Sequence, residues 1–251
     1  MIKAITFDLW DTVFIDDSDE PKRKAAGRPT KAEERRMLVH QFIERHQPIG
    51  KEIVNYVYNG IDAAFSKVWH ELHVTWSVRE RLDLILKGLK RDLPGTKMNE
   101  LIRLHEEMEL EFRPEVVKDF HAAIKALKKN YKLGVISDTI FSPGRALRQL
   151  LQDEGLLDFF DVFIFSDEIG HAKPAPEVFQ AAIQALLVEP NEIVHIGDRE
   201  SNDICGPHQS GMKAVLCTAI LDRGSNHTQA DAKFNAYKFF PGAIERLNGN
   251  D

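Results

Sequence analysis

Five short apolar runs recur along the chain: IKAITF at 2–7, KLGVIS at 132–137, DVFIF at 161–165, EIVHIG at 192–197 and KAVLC at 213–217. Runs of this length and continuity are the kind buried on both faces of a parallel sheet. Helical spacing separates the later ones. Residues 115–129 place Val116, Phe120, Ile124 and Leu127 on one stripe. Residues 143–152 open on Pro143 after Ser142, a suitable first position and cap, and residues 176–187 start on Pro176. Strands alternating with helices predict an α/β fold with a doubly wound, Rossmann-like parallel sheet.

Residues 16–114 break that rhythm and read as helical. Val54, Val57, Ile61, Phe65, Val68 and Leu72 form a stripe at helical spacing. Ser77 followed by Glu80 is a capping box, and Leu82, Ile85, Leu86 and Leu89 give the helix it starts an apolar face. A further helix is predicted from Thr96 to just before Pro114, with Leu101, Leu104 and Met108 facing inward. The expected organisation is an α/β core made of residues 1–15 and 115–251, interrupted after its first strand by a helical cap over residues 16–114. The polar segment 16–31, with the basic run KRKAAGR, reads as a solvated hinge or flexible lead-in; attraction of an anionic substrate is the alternative.

Composition narrows the partners. A net charge of −6 and a pI near 5.9 argue against nucleic acid held by bulk electrostatics. No apolar run is long enough to span a membrane, and the apolar stretch in MIKAITFD is too short for a signal peptide, so a cytoplasmic address is expected. Cys205 and Cys217 make neither a metal-ligand set nor a disulfide framework, and both are read as buried thiols. The chain is expected to act alone or as a homodimer.

Ligands of open α/β sheets bind outside the carboxyl ends of the strands. Four such ends carry polar residues: Asp8, with Thr12 beyond it; Ser137 and Asp138; Lys173 in HAKPAPEVF, after the third run; and Gly197, Asp198 and Asp203 in GDRESND. Two carboxylates at adjacent strand ends can hold Mg²⁺, a hard cation that prefers oxygen ligands. A lysine and a hydroxyl can cradle the oxygens of a phosphoryl group beside it, and a carboxylate so placed can attack phosphorus and form a covalent intermediate. Singly, each residue has a plainer reading, as a turn former, helix cap or surface charge.

In this order the four segments resemble the motifs of the haloacid dehalogenase superfamily: FDLWDT first, VISDT second, the lysine of HAKPAPEVF third and IGDRESND fourth, with GMKAVLC similar to the next strand. The resemblance covers the whole core and implies a helical cap inserted after the first motif. It implies Asp8 as nucleophile and Mg²⁺ ligand, with the backbone carbonyl at Trp10 completing the metal site. Thr12 would orient the phosphoryl group, Ser137 and Asp138 would line its binding site, and Lys173 would neutralise charge. Asp198 and Asp203 would hold the metal, and a small phosphorylated metabolite would be the substrate.

One departure matters. Phosphatases of this family usually read D-x-D-x-T, the second Asp serving as general acid and base, and here the pattern is D-x-W-D-T. Such help is typically worth ~10²–10⁴-fold in rate. Either another group, Asp11 or a cap residue, supplies the proton, or the chemistry has an easier leaving group. A 2-haloacid dehalogenase needs no such proton and often carries an aromatic residue here, although it does not need the metal and typically loses the Gly197–Asp198 pair. A phosphonate hydrolase keeps Mg²⁺ and needs a Schiff-base lysine on the cap, for which Lys51, Lys67, Lys87 and Lys90 are available. A silent relative that only binds a phosphorylated ligand or a partner protein is the non-enzymatic alternative. Asp11 is otherwise read as a turn residue, Trp69 and Trp76 as core packing rather than substrate stacking, His195 as a satisfied core residue, and His171 as a loop residue, with approach to the substrate the lesser alternative.

Overall fold

The computed structural model describes residues 1–44 and 48–249. Six strands form the sheet: β1 (Ala4–Phe7), β2 (Lys132–Ser137), β3 (Val162–Phe165), β4 (Ile193–Gly197), β5 (Lys213–Cys217) and β6 (Ala232–Phe234). All pairings are parallel, in the order β3-β2-β1-β4-β5-β6. Phe7 pairs with Val135 on one side and Ile196 on the other, so β1, β2 and β4 end side by side. The chain reverses its direction of winding between β1 and β4, and the crevice at such a switch point is where ligands bind. Five strands follow the apolar runs. The sixth, Ala232–Phe234, carries no such signal, because it is three residues long with exposed Lys233 at its centre.

Helices α1 (Glu20–Ala25), α2 (Lys31–Glu44), α3 (Lys51–Leu72), α4 (Val78–Gly88), α5 (Gly95–Glu106) and α6 (Met108–Glu111) lie between the first two strands. Val39, Ile43, Val54, Tyr58, Leu82, Ile85, Met98 and Leu101 close a cluster of their own there. The Ser77–Glu80 capping box is present, with the Ser77 amide donating to Glu80 at 2.8 Å. Leu72, expected on the α3 stripe, is 65% exposed, because α3 ends at His73 in the left-handed region. The helix expected from Thr96 divides at Glu107 into α5 and α6.

Segment 16–31 is not a solvated lead-in. Residues Asp19, Arg23 and Lys31 are buried, with the Lys31 ammonium donating to Asp19 at 2.8 Å and standing 3.2 Å from Glu109, and with Arg23 and Arg28 both bonding Glu34. The basic run is folded because its charges meet acids from α2 and α6, partners far apart in sequence.

The remaining helices are α7 (Phe120–Leu127), α8 (Gly144–Asp153), α9 (Ser166–Ile169), α10 (Pro176–Leu186), α11 (Gly206–Gln209) and α12 (Phe240–Leu247). The helix expected from residue 115 begins only at Phe120. Instead, residues 115–117 pair with the chain leaving β1: the Ile15 amide donates to the Glu115 carbonyl and the Val117 amide to the Val13 carbonyl, each at 2.8 Å. Ser142 does not cap α8; its hydroxyl donates to Glu109. No helix among the described residues is long and apolar enough to cross a membrane.

The sheet's main cluster centres on Phe7, whose ring meets Phe120, Phe160 and Phe240 at 5.6, 6.2 and 6.3 Å between centroids. Phe7→Ala leaves a cavity next to Asp8 and is expected to lower unfolding stability by ~3–5 kcal/mol. Leu72→Ala, at a solvent-exposed position, should change it by no more than ~0.5 kcal/mol. Urea unfolding of both variants checks the pair, and equal losses would contradict this placement of the core.

Candidate active site

The strand ends bring Asp8, Asp138, Lys173, Asp198 and Asp203 together, all buried. At the centre is the Lys173 ammonium, which donates to Asp8 Oδ1 at 2.8 Å and to Asp203 Oδ1 at 2.6 Å. Its backbone amide donates to Asp138 Oδ1 at 2.9 Å, so one residue ties the ends of β1, β2 and β4 together. Asp203 returns to its strand end through a π-helical stretch, Glu200–Cys205, and accepts from the Arg199 amide at 2.9 Å. The return is tight: a Cβ on Gly197 would lie 2.2 Å from the Asp203 carboxyl carbon, so glycine is required there.

Asp8, Asp198 and Asp203 each offer an oxygen within 4.8 Å of the others. An all-oxygen, anionic donor set of this kind fits a hard divalent cation. Electrostatics agree. Burial pushes the Asp8 carboxyl up to about 8 against the pull of Lys173, with Asp203 and Asp198 adding like-charge repulsion. Burial acts to raise Asp203 too, but Lys173 and His195 hold it below the usual carboxylate range. Burial also raises Asp198, and repulsion from Asp203 adds to it. Lys173 stays firmly protonated despite burial, because Asp203, Asp8 and Asp138 surround it. One ammonium between two acids favours the charge on Asp203 over Asp8.

Two supporting residues carried no sequence signal for their role. Arg223, from the chain after β5, bonds Asp198 through Nε and Asp11 Oδ2 through Nη2, the latter at 2.8 Å. His195, read as a satisfied core residue, is one, but its partner belongs to the site: one ring nitrogen bonds the Thr6 hydroxyl at 2.9 Å and the other lies 3.2 Å from Asp203 Oδ1. Ser137 and Thr12 are buried without firm side-chain bonds, and neither is among the residues that line the cavity at the cluster. The Ser137 hydroxyl reaches the Asp138 carbonyl at only 3.5 Å, and the Thr12 hydroxyl is buried with no partner among the described residues.

A cavity of about 280 Å³ opens onto the cluster, near the lower end of the ~300–1,000 Å³ common for small-molecule sites. Its walls include Asp8, Trp10, Asp138, Lys173 and Asp203, joined by Asp16, Lys31, Arg35, Trp69 and Glu109. Trp69 therefore faces the site instead of the core, reversing the sequence expectation, whereas Trp76 packs on Phe65 at 6.0 Å. Asp11 takes a left-handed turn conformation, φ 53°; both its oxygens are occupied, by the Asp16 amide and Arg223, and it does not line the cavity. His171 does not line it either and instead bridges to Val74. Lys51, Lys67, Lys87 and Lys90 are all exposed and away from it. Cys217 is buried and its thiol pushed up to about 12 by burial, while Cys205, expected to be buried, is only partly so.

Asp138 provides a pH test of this electrostatic picture. Burial, opposed by Lys173, raises its carboxyl from 3.8 to about 6. A raised folded-state pKa gives stability that is complete below pH ~4 and lost as pH rises through ~6. Asp138→Asn removes that loss, so the variant should gain on the wild type between pH 4.5 and 7.5, by on the order of 2 kcal/mol. Urea unfolding at the two pH values measures it, and a pH-independent difference would count against the assignment.

Comparison with known proteins gives a consistent result. A family model described as haloacid dehalogenase-like hydrolase matches residues 2–211. Pyrophosphatase PpaX of Bacillus cereus is 27% identical over 174 residues, covering 65% of this chain and 79% of that protein. Among solved structures, an HAD phosphatase from Thermococcus onnurineus is 25% identical, with a TM-score of 0.63 over 100% of this chain and 99% of that one. A 2-haloacid dehalogenase from Pseudomonas syringae shares the fold, at 22% identity and a TM-score of 0.68 over 98% of this chain and 99% of that one.

Proposed function

We propose that this chain, which belongs to the haloacid dehalogenase-like hydrolase family, is a Mg²⁺-dependent phosphatase of small phosphorylated metabolites, with residues 16–114 acting as a cap over its site. The observation that carries this reading is the cluster of Asp8, Asp198 and Asp203, three carboxylates with oxygens within 4.8 Å of one another, of which Asp8 and Asp203 share the Lys173 ammonium and Asp198 bonds Arg223. Displacement of halide from carbon calls for no such concentration of negative charge, whereas a phosphoryl group beside a divalent cation does. The phosphatase and pyrophosphatase names among the relatives point the same way.

In this reading Asp8, Asp198 and Asp203, with the Trp10 carbonyl, would hold Mg²⁺. The cation would supply positive charge that favours the ionised form of Asp8. An Asp8 oxygen attacks phosphorus, forming the P–O bond to the enzyme while the bond to the leaving oxygen breaks. Lys173 balances the charge on Asp8 and on the phosphoryl oxygens, and the hydroxyls of Thr12 and Ser137 orient them. Water then cleaves the aspartyl phosphate and restores Asp8.

The proton for the leaving oxygen needs a source other than residue 10. Asp16 is one acid of the helical region on the cavity wall. It lines the cavity at the rim, where the surrounding protein and neighbouring Asp17 push its carboxyl up to about 6. Lys31 is the one lysine of the helical region in the cavity, and Glu109, Asp19 and Asp17 hold it protonated despite burial, which disfavours Schiff-base chemistry and hence a phosphonate hydrolase. Trp10 favours a second reading, a 2-haloacid dehalogenase.

The purified protein should hydrolyse an aryl phosphate with Mg²⁺, lose activity in EDTA and regain it on Mg²⁺ addition; Asp8→Asn should lower kcat by several orders of magnitude. Release of halide from 2-chloropropionate without metal would select the dehalogenase instead. Trp10→Asp should raise turnover of alkyl phosphates by up to ~10²-fold and that of aryl phosphates much less, because only the poorer leaving group needs the acid. An equal gain on both would contradict this account of Trp10.

A further inference from the structure

The loop after β5 carries a cation that takes no part in the chemistry proposed above. Arg223 does not line the cavity, yet two carboxylates from distant parts of the chain meet on one edge of its guanidinium. Nε bonds Asp198 Oδ2, and Nη2 bonds Asp11 Oδ2 at 2.8 Å. The loop itself is braced. Asp222 accepts from the amides of Gly224 and Ser225 at 3.0 and 2.7 Å, and Lys233 of β6 donates to the Ser225 carbonyl at 3.2 Å. Both acids depend on the guanidinium. Asp198 is buried, and no other donor among the described residues reaches it: Lys173 is taken by Asp8 and Asp203, and Arg199 beside it is exposed. A buried carboxylate set against two like charges, with no donor of its own, turns away from them. Asp11 sits at φ 53°, a conformation uncommon outside glycine, and spends one oxygen on the Asp16 amide and the other on Arg223.

We infer that Arg223 is a positioning residue for the cation: by clipping Asp11 to Asp198 it holds in register the two segments, the turn after β1 and the end of β4, that carry the proposed ligands Trp10 and Asp198. The inference rests on the Mg²⁺ reading above and adds the residue that preorganises its site. A guanidinium suits the task, because two donors on one rigid edge fix the spacing of two carboxylates, whereas a lysine ammonium swings on a flexible stem. Two effects of Arg223 on a bound ion oppose each other. Its charge repels the ion, and its bonds fix the ligands. The Arg223 side chain is 34% exposed, so solvent screens the repulsion, while the bonds act through Asp198, which is buried. Positioning therefore outweighs charge. Partners of this kind, one bond removed from a metal, typically contribute ~10–100-fold to its affinity.

The test is calorimetric titration of the substrate-free protein with Mg²⁺, with circular dichroism to establish that each variant is folded. Arg223→Gln should raise the Kd for Mg²⁺ at least ~10-fold. Arg223→Lys, which keeps the charge but not the rigid edge, should recover only part of that loss. Asp11→Asn tolerates the same turn but leaves one oxygen for two donors, and should raise the Kd several-fold. Because both residues act through one clip, adding Asp11→Asn to Arg223→Gln should cost no more than ~2-fold further. A Kd for Arg223→Gln that equals or falls below that of the wild type overturns the inference, and so does full affinity in Arg223→Lys, since charge alone would then account for the residue. Should Arg223→Gln not fold, the other two variants decide: weaker binding in both upholds the clip, and wild-type affinity in either overturns it. Wild-type protein that binds no Mg²⁺ overturns the metal reading and this inference together. Mg²⁺ binding without turnover of any phosphate ester overturns the phosphatase reading alone, and the same titrations still decide the role of Arg223.

Discussion

Everything at the carboxyl edge of this sheet depends on the ammonium of Lys173. Buried acids repel one another and resist ionisation, and the ends of β1 and β4 place three of them within a few ångströms. Lys173 makes the arrangement tolerable by donating to Asp8 and Asp203 at once while its backbone holds Asp138. Its compensation is incomplete: burial and the neighbouring acids leave Asp8 hard to ionise despite that ammonium. His195 and Arg223 extend the same logic outward, each bonding an acid that would otherwise stand against its neighbours.

The parts of this site legible in the sequence are those held by residues directly at strand ends. Asp8, Ser137, Asp138 and Asp198 each follow or close an apolar run, so the run that marks a buried strand also marks where its polar end emerges. Lys173 and Asp203 lie further along the loops, and the order of the motifs placed them. Arg35, Lys31 and Trp69 reach the cavity only because α2 and α3 fold over it, and nothing in their local pattern separates a cavity-facing residue from a solvent-facing one. The same limit explains segment 16–31. A run of lysines and arginines looks solvated until its carboxylate partners, Glu34 on the next helix and Glu109 some eighty residues on, are brought beside it. Strand β6 escaped notice because three residues around an exposed lysine cannot make an apolar run.

The half-buried ring of Trp10 packs toward Phe14 and forms part of the cavity wall, so an apolar surface stands beside Asp8. In the phosphatase reading proposed above, the missing acid and this surface both bear on which leaving groups the site accommodates.

The chain leaves β1 and returns toward α7 along two adjacent segments hydrogen-bonded to each other through Ile15 with Glu115 and Val117 with Val13. Seen from the sheet, the hundred-odd residues between them are one long excursion whose ends are already pinned together. Loop-closure entropy grows only slowly with length, so such an excursion is lengthened, shortened or replaced at small thermodynamic penalty. The helical wall of the cavity can therefore change while the acids and the lysine beneath it keep their geometry.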